Sequence, residues 1–130
     1  MSHQHAVVWI DHQHATIIDF TFDEQHVVAV EREGGQRKVH RRSGVPGAGK
    51  APVDHHFFDE VAAALKGVAE ILIVGPGGAK TEFHHDLQAR HAAVAQQVVA
   101  VEGSDHPSDG QLLAMARKYF KRVDALRGNV

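Results

Sequence analysis

The chain has 130 residues, 43% of them hydrophobic, which suffices for one sizeable core and predicts a single domain over residues 1–130. It contains no cysteine, which excludes disulfides, thiolate metal sites and cysteine nucleophiles and favours a reducing compartment. The formal net charge of −2 argues against a strong global pull on nucleic acid, although twelve histidines would turn the molecule positive on mild acidification.

The start, Met1-Ser2-His3-Gln4-His5, does not resemble a signal peptide, and apolar runs such as 71–74 are far shorter than the roughly 20 residues of a membrane span. A cytoplasmic protein without membrane association is expected. The run Ala6, Val7, Val8, Trp9 and Ile10 reads as a buried strand ended by a turn at Asp11-His12-Gln13. Residues 14–22 and 26–31 read as two further strands around a turn at Asp23-Glu24, which makes an antiparallel meander.

Residues 34–53 hold five of the twelve glycines and two of the four prolines, and they read as a long loop. Asp54 is placed to cap a helix whose apolar positions are Phe57, Phe58, Val61, Ala62 and Leu65, with Gly67 as its stop. The unbroken run Ile71, Leu72, Ile73 and Val74 predicts a central strand covered on both faces. After Gly75-Pro76-Gly77-Gly78, the positions Ala79, Phe83 and Leu87 mark a second helix, and Val98, Val99 and Val101 a fifth strand. Ser108 and Gln111 form a capping box opening a last helix with Leu112, Ala116, Tyr119, Val123 and Leu126 on one face.

The order β-β-β-α-β-α-β-α predicts an α/β domain with a mixed five-stranded sheet and helices packed against it, as in the ribonuclease-H-like architecture. The turn 75–81 presents backbone N–H groups and a helix dipole beside Lys80 and Thr81, so Gly77, Gly78, Lys80 and Thr81 are candidate phosphate contacts. It is not a Walker A loop, because Ala79 stands where that motif requires glycine before the lysine. Equally, these glycines suit close packing of strand and helix.

The string Ile71-Leu-Ile-Val-Gly-Pro-Gly-Gly-Ala-Lys-Thr-Glu-Phe83 resembles the strand-turn-helix in the middle domain of eukaryotic and archaeal class-one release factors and of the ribosome-rescue protein Pelota. The opening paired strands 6–20 around an Asp-containing turn are similar to the start of the same domain. This resemblance implies the fold of translational machinery components, and small bacterial release-factor-like proteins look alike. It extends to neither the codon-reading nor the partner-binding domain of those factors.

Release factors of this kind carry a Gly-Gly-Gln tip on the loop after the third strand. Gly34-Gly35-Gln36 occurs here at the start of the equivalent loop, which makes Gln36 a candidate for peptidyl-tRNA hydrolysis; an ordinary turn after Glu33 is the plainer reading. Between Glu33 and Asp54 there is no acid, while Arg37, Lys38, Arg41, Arg42 and Lys50 gather with His40. Such a loop neutralises phosphates without reading sequence, and ribosomal RNA is the polyanion the resemblance implies; DNA is not expected. The stretch 44–50 mimics a phosphate-binding loop but lacks its hydroxyl, since Ala51 follows Lys50. A second basic set, Arg117, Lys118, Lys121, Arg122 and Arg127, reads as the solvent face of the last helix.

Nuclease members of the ribonuclease-H-like architecture place a carboxylate on the first strand, which makes Asp11 a candidate beside Glu70, Glu82 and Asp105. Asp11 also suits the turn that follows. The histidine pairs 3/5, 12/14, 55/56 and 84/85 lack a metal-ligand spacing such as His-Glu-x-x-His, and neither a metal nor a cofactor is expected. The leading expectation is a non-catalytic, ribosome- or RNA-associated module using the loop from Arg37 to Lys50. A hydrolase acting through Gln36 or Asp11, or a small-ligand or protein-interaction domain, is the alternative.

Overall fold

The computed structural model describes residues 5–32 and 55–126, with side chains to residue 122. The strands are β1 (His5–Ile10), β2 (His14–Phe20), β3 (Gln25–Glu31), β4 (Glu70–Gly75) and β5 (Val98–Gly103). The helices are α1 (His55–Ala64), α2 (Ala79–Arg90), a single turn α3 (Ala92–Ala95) and α4 (Asp109–Leu126). The mixed α/β sheet has the order β3-β2-β1-β4-β5, antiparallel through the meander and parallel from β1 to β4 and β5.

Alternation along β1 explains the layers. Ala6, Val8 and Ile10 join Ile17, Ile71 and Ile73 under α1 and α2, where Phe57, Phe58, Val61, Leu65, Phe83 and Leu87 complete one core. Val7 and Trp9 point the other way, to Ile18, Phe20, Leu72 and Val74, and α4 lays Leu112, Ala116 and Phe120 on them. A strand buried on both faces needs apolar residues at successive positions, and the runs 6–10 and 71–74 supply them.

Three details depart from the sequence expectation. The strand β2 stops at Phe20, because Thr21 closes the next turn: its N–H donates to Glu24 O (2.9 Å) and its hydroxyl accepts from Glu24 N–H (3.2 Å). Phe22 is therefore a turn residue and 95% exposed. On α4 the buried stripe runs Leu112, Ala116, Phe120 at intervals of four, which leaves Tyr119 half-buried beside it. The turn α3 adds a helical element between α2 and β5.

The expected stop at Gly67 is present with φ +85°, and Leu65 and Val68 are buried on either side of it. The capping box also forms, Ser108 N–H donating to Gln111 Oε1 (3.0 Å) and Gln111 N–H to Ser108 Oγ (3.2 Å). Asp54 lies outside the described residues, as do the loop 34–53 and Arg127.

Candidate nucleic-acid interface at the carboxyl end of the sheet

The parallel strands β1, β4 and β5 all end on one edge, and their carboxyl ends carry the candidate residues. At the end of β1, Asp11 Oδ1 accepts from Gln13 N–H (2.8 Å) and His14 N–H (2.7 Å), which closes the turn into β2. One carboxylate oxygen thus serves two backbone donors, the local role expected of an aspartate at a turn. His14 pairs with Glu31 across β2 and β3, and Arg32 N–H donates to Gln13 O (2.8 Å). The chain accordingly enters the basic segment from this same edge.

At the end of β4, the glycine turn is required by close packing. A Cβ on Gly75 would stand 2.2 Å from Ile10 O, and Gly77 takes φ +62°. Gly78 then starts α2 without a side-chain cap. Both Gly77 and Gly78 are exposed, as is Thr81, whose N–H donates to Gly78 O (3.1 Å).

The electrostatics of this turn are divided. Lys80 Nζ donates to Gly77 O, which folds its charge back over the turn. Glu82 lies in the first turn of α2, where its carboxylate answers the helix dipole, and its Oε1 and Oε2 are each 3.4 Å from His12 Nε2. A phosphate at this helix end would meet Lys80 and would compete with Glu82.

Of the carboxylates considered beside Asp11, Glu82 stands at this edge and Glu70 does not. Glu70 pairs in register with His5 at the opposite edge, His5 Nε2 lying 3.0 Å from Glu70 Oε1. Asp105 contributes its backbone oxygen, which accepts from Trp9 Nε1 (2.6 Å) while His106 stacks on the indole at 4.3 Å. Gln36 and the basic residues Arg37, Lys38, Arg41, Arg42 and Lys50 lie outside the described residues.

Sequence reasoning did not anticipate the most organised polar cluster, which joins α1 to α2. Arg90 bonds Asp59 in a fork (Nη1 to Oδ1 2.8 Å, Nη2 to Oδ2 3.0 Å) and reaches Asp86 Oδ2 at 3.1 Å. His55 Nδ1 lies 2.8 Å from Asp86 Oδ1, and His91 Nε2 2.8 Å from Asp59 Oδ1. Arg90 and then His91 hold the Asp59 carboxyl down to about 2, while Asp59 raises Arg90 above the usual guanidinium value. Desolvation first, and His85 second, lower the nearby His84.

Ligand atoms of Asp59, Asp86 and His91 lie within 4.8 Å of one another, a spacing that could hold a metal ion. The cation these carboxylates bind is Arg90, whose guanidinium already occupies the space between them. The cluster therefore acts as a clamp between helices. The pair Asp86 and Arg90, four apart on α2, is the only part of it that a sequence displays.

Comparison with known proteins finds similarity to Pelota homologues and to an archaeal translation termination factor. A Pelota homologue of Archaeoglobus fulgidus is 30% identical over 116 residues, 87% of this chain and 34% of that protein. The crystal structure of Thermoplasma acidophilum Pelota superposes with a TM-score of 0.59 at 20% identity, over 84% of this chain and 30% of that one. The fold is that of the Pelota and release-factor middle domain. An archaeal translation termination factor, aRF1, superposes likewise, with a TM-score of 0.57 at 16% identity over 95% of this chain and 39% of that chain. No protein-family model matches the chain. This Pelota-like domain spans about a third of the length of those relatives. Among its described residues no helix is long and apolar enough to cross a membrane.

Proposed function

We propose that this Pelota-like domain is a ribosome-associated, translation-related module that binds ribosomal RNA by its phosphates. The contacts are assigned to Arg37, Lys38, Arg41, Arg42 and Lys50, with Gly77, Gly78, Lys80 and Thr81 as a second set. The observation that carries this reading is the 30% identity to a Pelota homologue over 87% of the chain. Register adds a second support, because Arg32, from which the basic segment departs, lies on the same edge of the sheet as the turn holding Lys80. Phosphate contacts of this kind position a protein on RNA without reading bases.

No catalytic step is assigned. Asp11 is engaged by two backbone donors and Glu70 stands at the far edge. Co-sedimentation with ribosomes over a salt series tests the proposal, with Arg37, Lys38, Arg41 and Arg42 changed together to alanine. The expected result is pelleting of the unaltered protein at moderate salt and its loss in the variant, with weaker binding as salt rises. Equal pelleting of both proteins, or of neither, overturns it.

A further inference from the structure

The opposite edge of the sheet carries a feature that the reading above does not use. Phe22, in the turn between β2 and β3, is 95% exposed, the most exposed large apolar residue among those described. The turn that carries it is held. Arg117 of α4 donates through Nη1 to Thr21 O (2.8 Å) and Phe22 O (3.2 Å), and its guanidinium lies 5.0 Å from the Phe20 ring centroid. Thr21 closes the turn from within, and its hydroxyl is 3.3 Å from Asp23 Oδ1. The backbone at Phe22 is thereby fixed while its ring points to solvent.

Further cations follow Arg117 along α4. Lys121 follows Arg117 by four residues and so lies on the same flank of α4, one turn further along. Lys118 and Arg122 lie beside them. All three are exposed, and none has an ion-pair partner among the described residues. No acidic residue interrupts positions 110–122 of α4. The turn itself brings Asp23 and Glu24, two acids against the four cations from Arg117 to Arg122, so the patch keeps a positive balance.

We infer that Phe22 and the cationic flank of α4 bind a single-stranded segment of RNA, a base stacking on the Phe22 ring while adjacent phosphates meet Lys118, Lys121 and Arg122. An exposed, backbone-anchored aromatic next to cations is the arrangement by which proteins hold single strands without sequence preference. Charge complementarity selects this partner over a protein surface, because the helix face offers lysine and arginine rather than an apolar stripe. The inference shares its partner class with the ribosomal RNA reading, but the two surfaces are separate. His5 pairs with Phe20 at one end of β1 and Ile10 with Ala15 at the other, so the Phe22 turn and the 75–81 turn occupy opposite edges. An RNA held at both would span the sheet, roughly 20 Å by the rise of a six-residue strand.

The test measures binding of a fluorescein-labelled uridine dodecamer by anisotropy to four proteins: unaltered, Phe22→Ala, Lys118→Glu with Lys121→Glu and Arg122→Glu, and the Arg37/Lys38/Arg41/Arg42 alanine variant. Phe22→Ala is expected to weaken binding about 5- to 100-fold, the range for losing one stacked base. The triple reversal is expected to weaken it further and to flatten its salt dependence. Phe22→Trp reports contact directly: its added fluorescence should be quenched on saturation with the oligonucleotide, whereas buried Trp9 should not respond. Unchanged affinity in both Phe22→Ala and the triple variant, with loss only in the loop variant, overturns this inference and leaves the RNA reading intact. Absence of binding by the unaltered protein overturns this inference, while ribosome pelleting decides the other reading. Unquenched fluorescence in Phe22→Trp during saturable binding overturns the stacking contact.

Discussion

The two faces of the sheet are covered by different means. Among the described residues, one lies under a pair of helices, α1 and α2, and the other under α4 alone. A pair of helices needs something to set one against the other, and the Asp59, Arg90, Asp86 and His55 contacts across the α1–α2 seam supply it. A lone helix needs only to be fixed to the sheet. Arg117 does so by reaching the carbonyls of the β2–β3 turn, and the segment preceding α4 is tied where Trp9 Nε1 meets Asp105 O. Charge paired with charge holds the first face, whereas charge and indole paired with backbone carbonyl hold the second.

Truncation of the cores should give the largest effect. Phe83 is fully buried beneath α2, its ring 5.3 Å from that of Phe58. Phe83→Ala is expected to cost about 3–5 kcal/mol of unfolding free energy, the sum of lost transfer energy and the cavity left behind. Phe120→Ala, on the other face, should fall toward the lower end of that range. Its ring packs at the rim against His5, Phe20 and half-buried Tyr119, a site freer to relax. Urea denaturation of both variants checks this, and a larger loss at Phe120 would reverse the ranking of the faces.

The next effect concerns the seam. Asp86 has a side chain only 4% exposed and receives both His55 and Arg90. Asp86→Ala is expected to cost about 1–3 kcal/mol, the penalty for stripping buried partners of an acceptor, reduced because Arg90 keeps Asp59. Hydrogen exchange should quicken in α1 and leave α4 unchanged. Equal quickening in α4 would mean that the seam supports the whole domain rather than one face.

The sequence made the layers legible where periodicity and local chemistry act alone. The runs 6–10 and 71–74 announce strands buried on both faces, Asp11 announces a turn, and Ser108 with Gln111 announces a helix start. Each is a signal contained within a few residues. The string 71–83 also carried the likeness to Pelota, and it folds as a buried strand, a close glycine turn at Gly75 and a helix start. What stayed hidden depends on separation. Asp59 and Arg90 are 31 residues apart and meet only because two helices lie side by side. Likewise, the choice of Phe120 over Tyr119 is made by which flank of α4 the sheet accepts, and Phe22 looked like strand until Thr21 closed the turn around it.

The smallest predicted effect separates the two clamps by pH. Asp59 is held down to about 2 in the folded protein, against 3.8 for an ordinary aspartate, chiefly by its bond to Arg90. A carboxyl depressed on folding contributes stability that is complete above its unfolded value and is lost as pH falls through the folded one. The cost of Asp59→Asn should therefore be constant from pH 7 to about 4 and shrink between 4 and 2, as the unaltered protein also loses the charge. Arg117→Ala should cost the same throughout that interval, because its acceptors, Thr21 O and Phe22 O, are carbonyls that take up no proton there. Urea midpoints of the three proteins at pH 7, 4, 3 and 2.5 decide the matter. A cost for Asp59→Asn that stays level to pH 2.5 would mean that the fork between Arg90 and Asp59 stabilises by its shape, as Arg117 does, rather than by its charge.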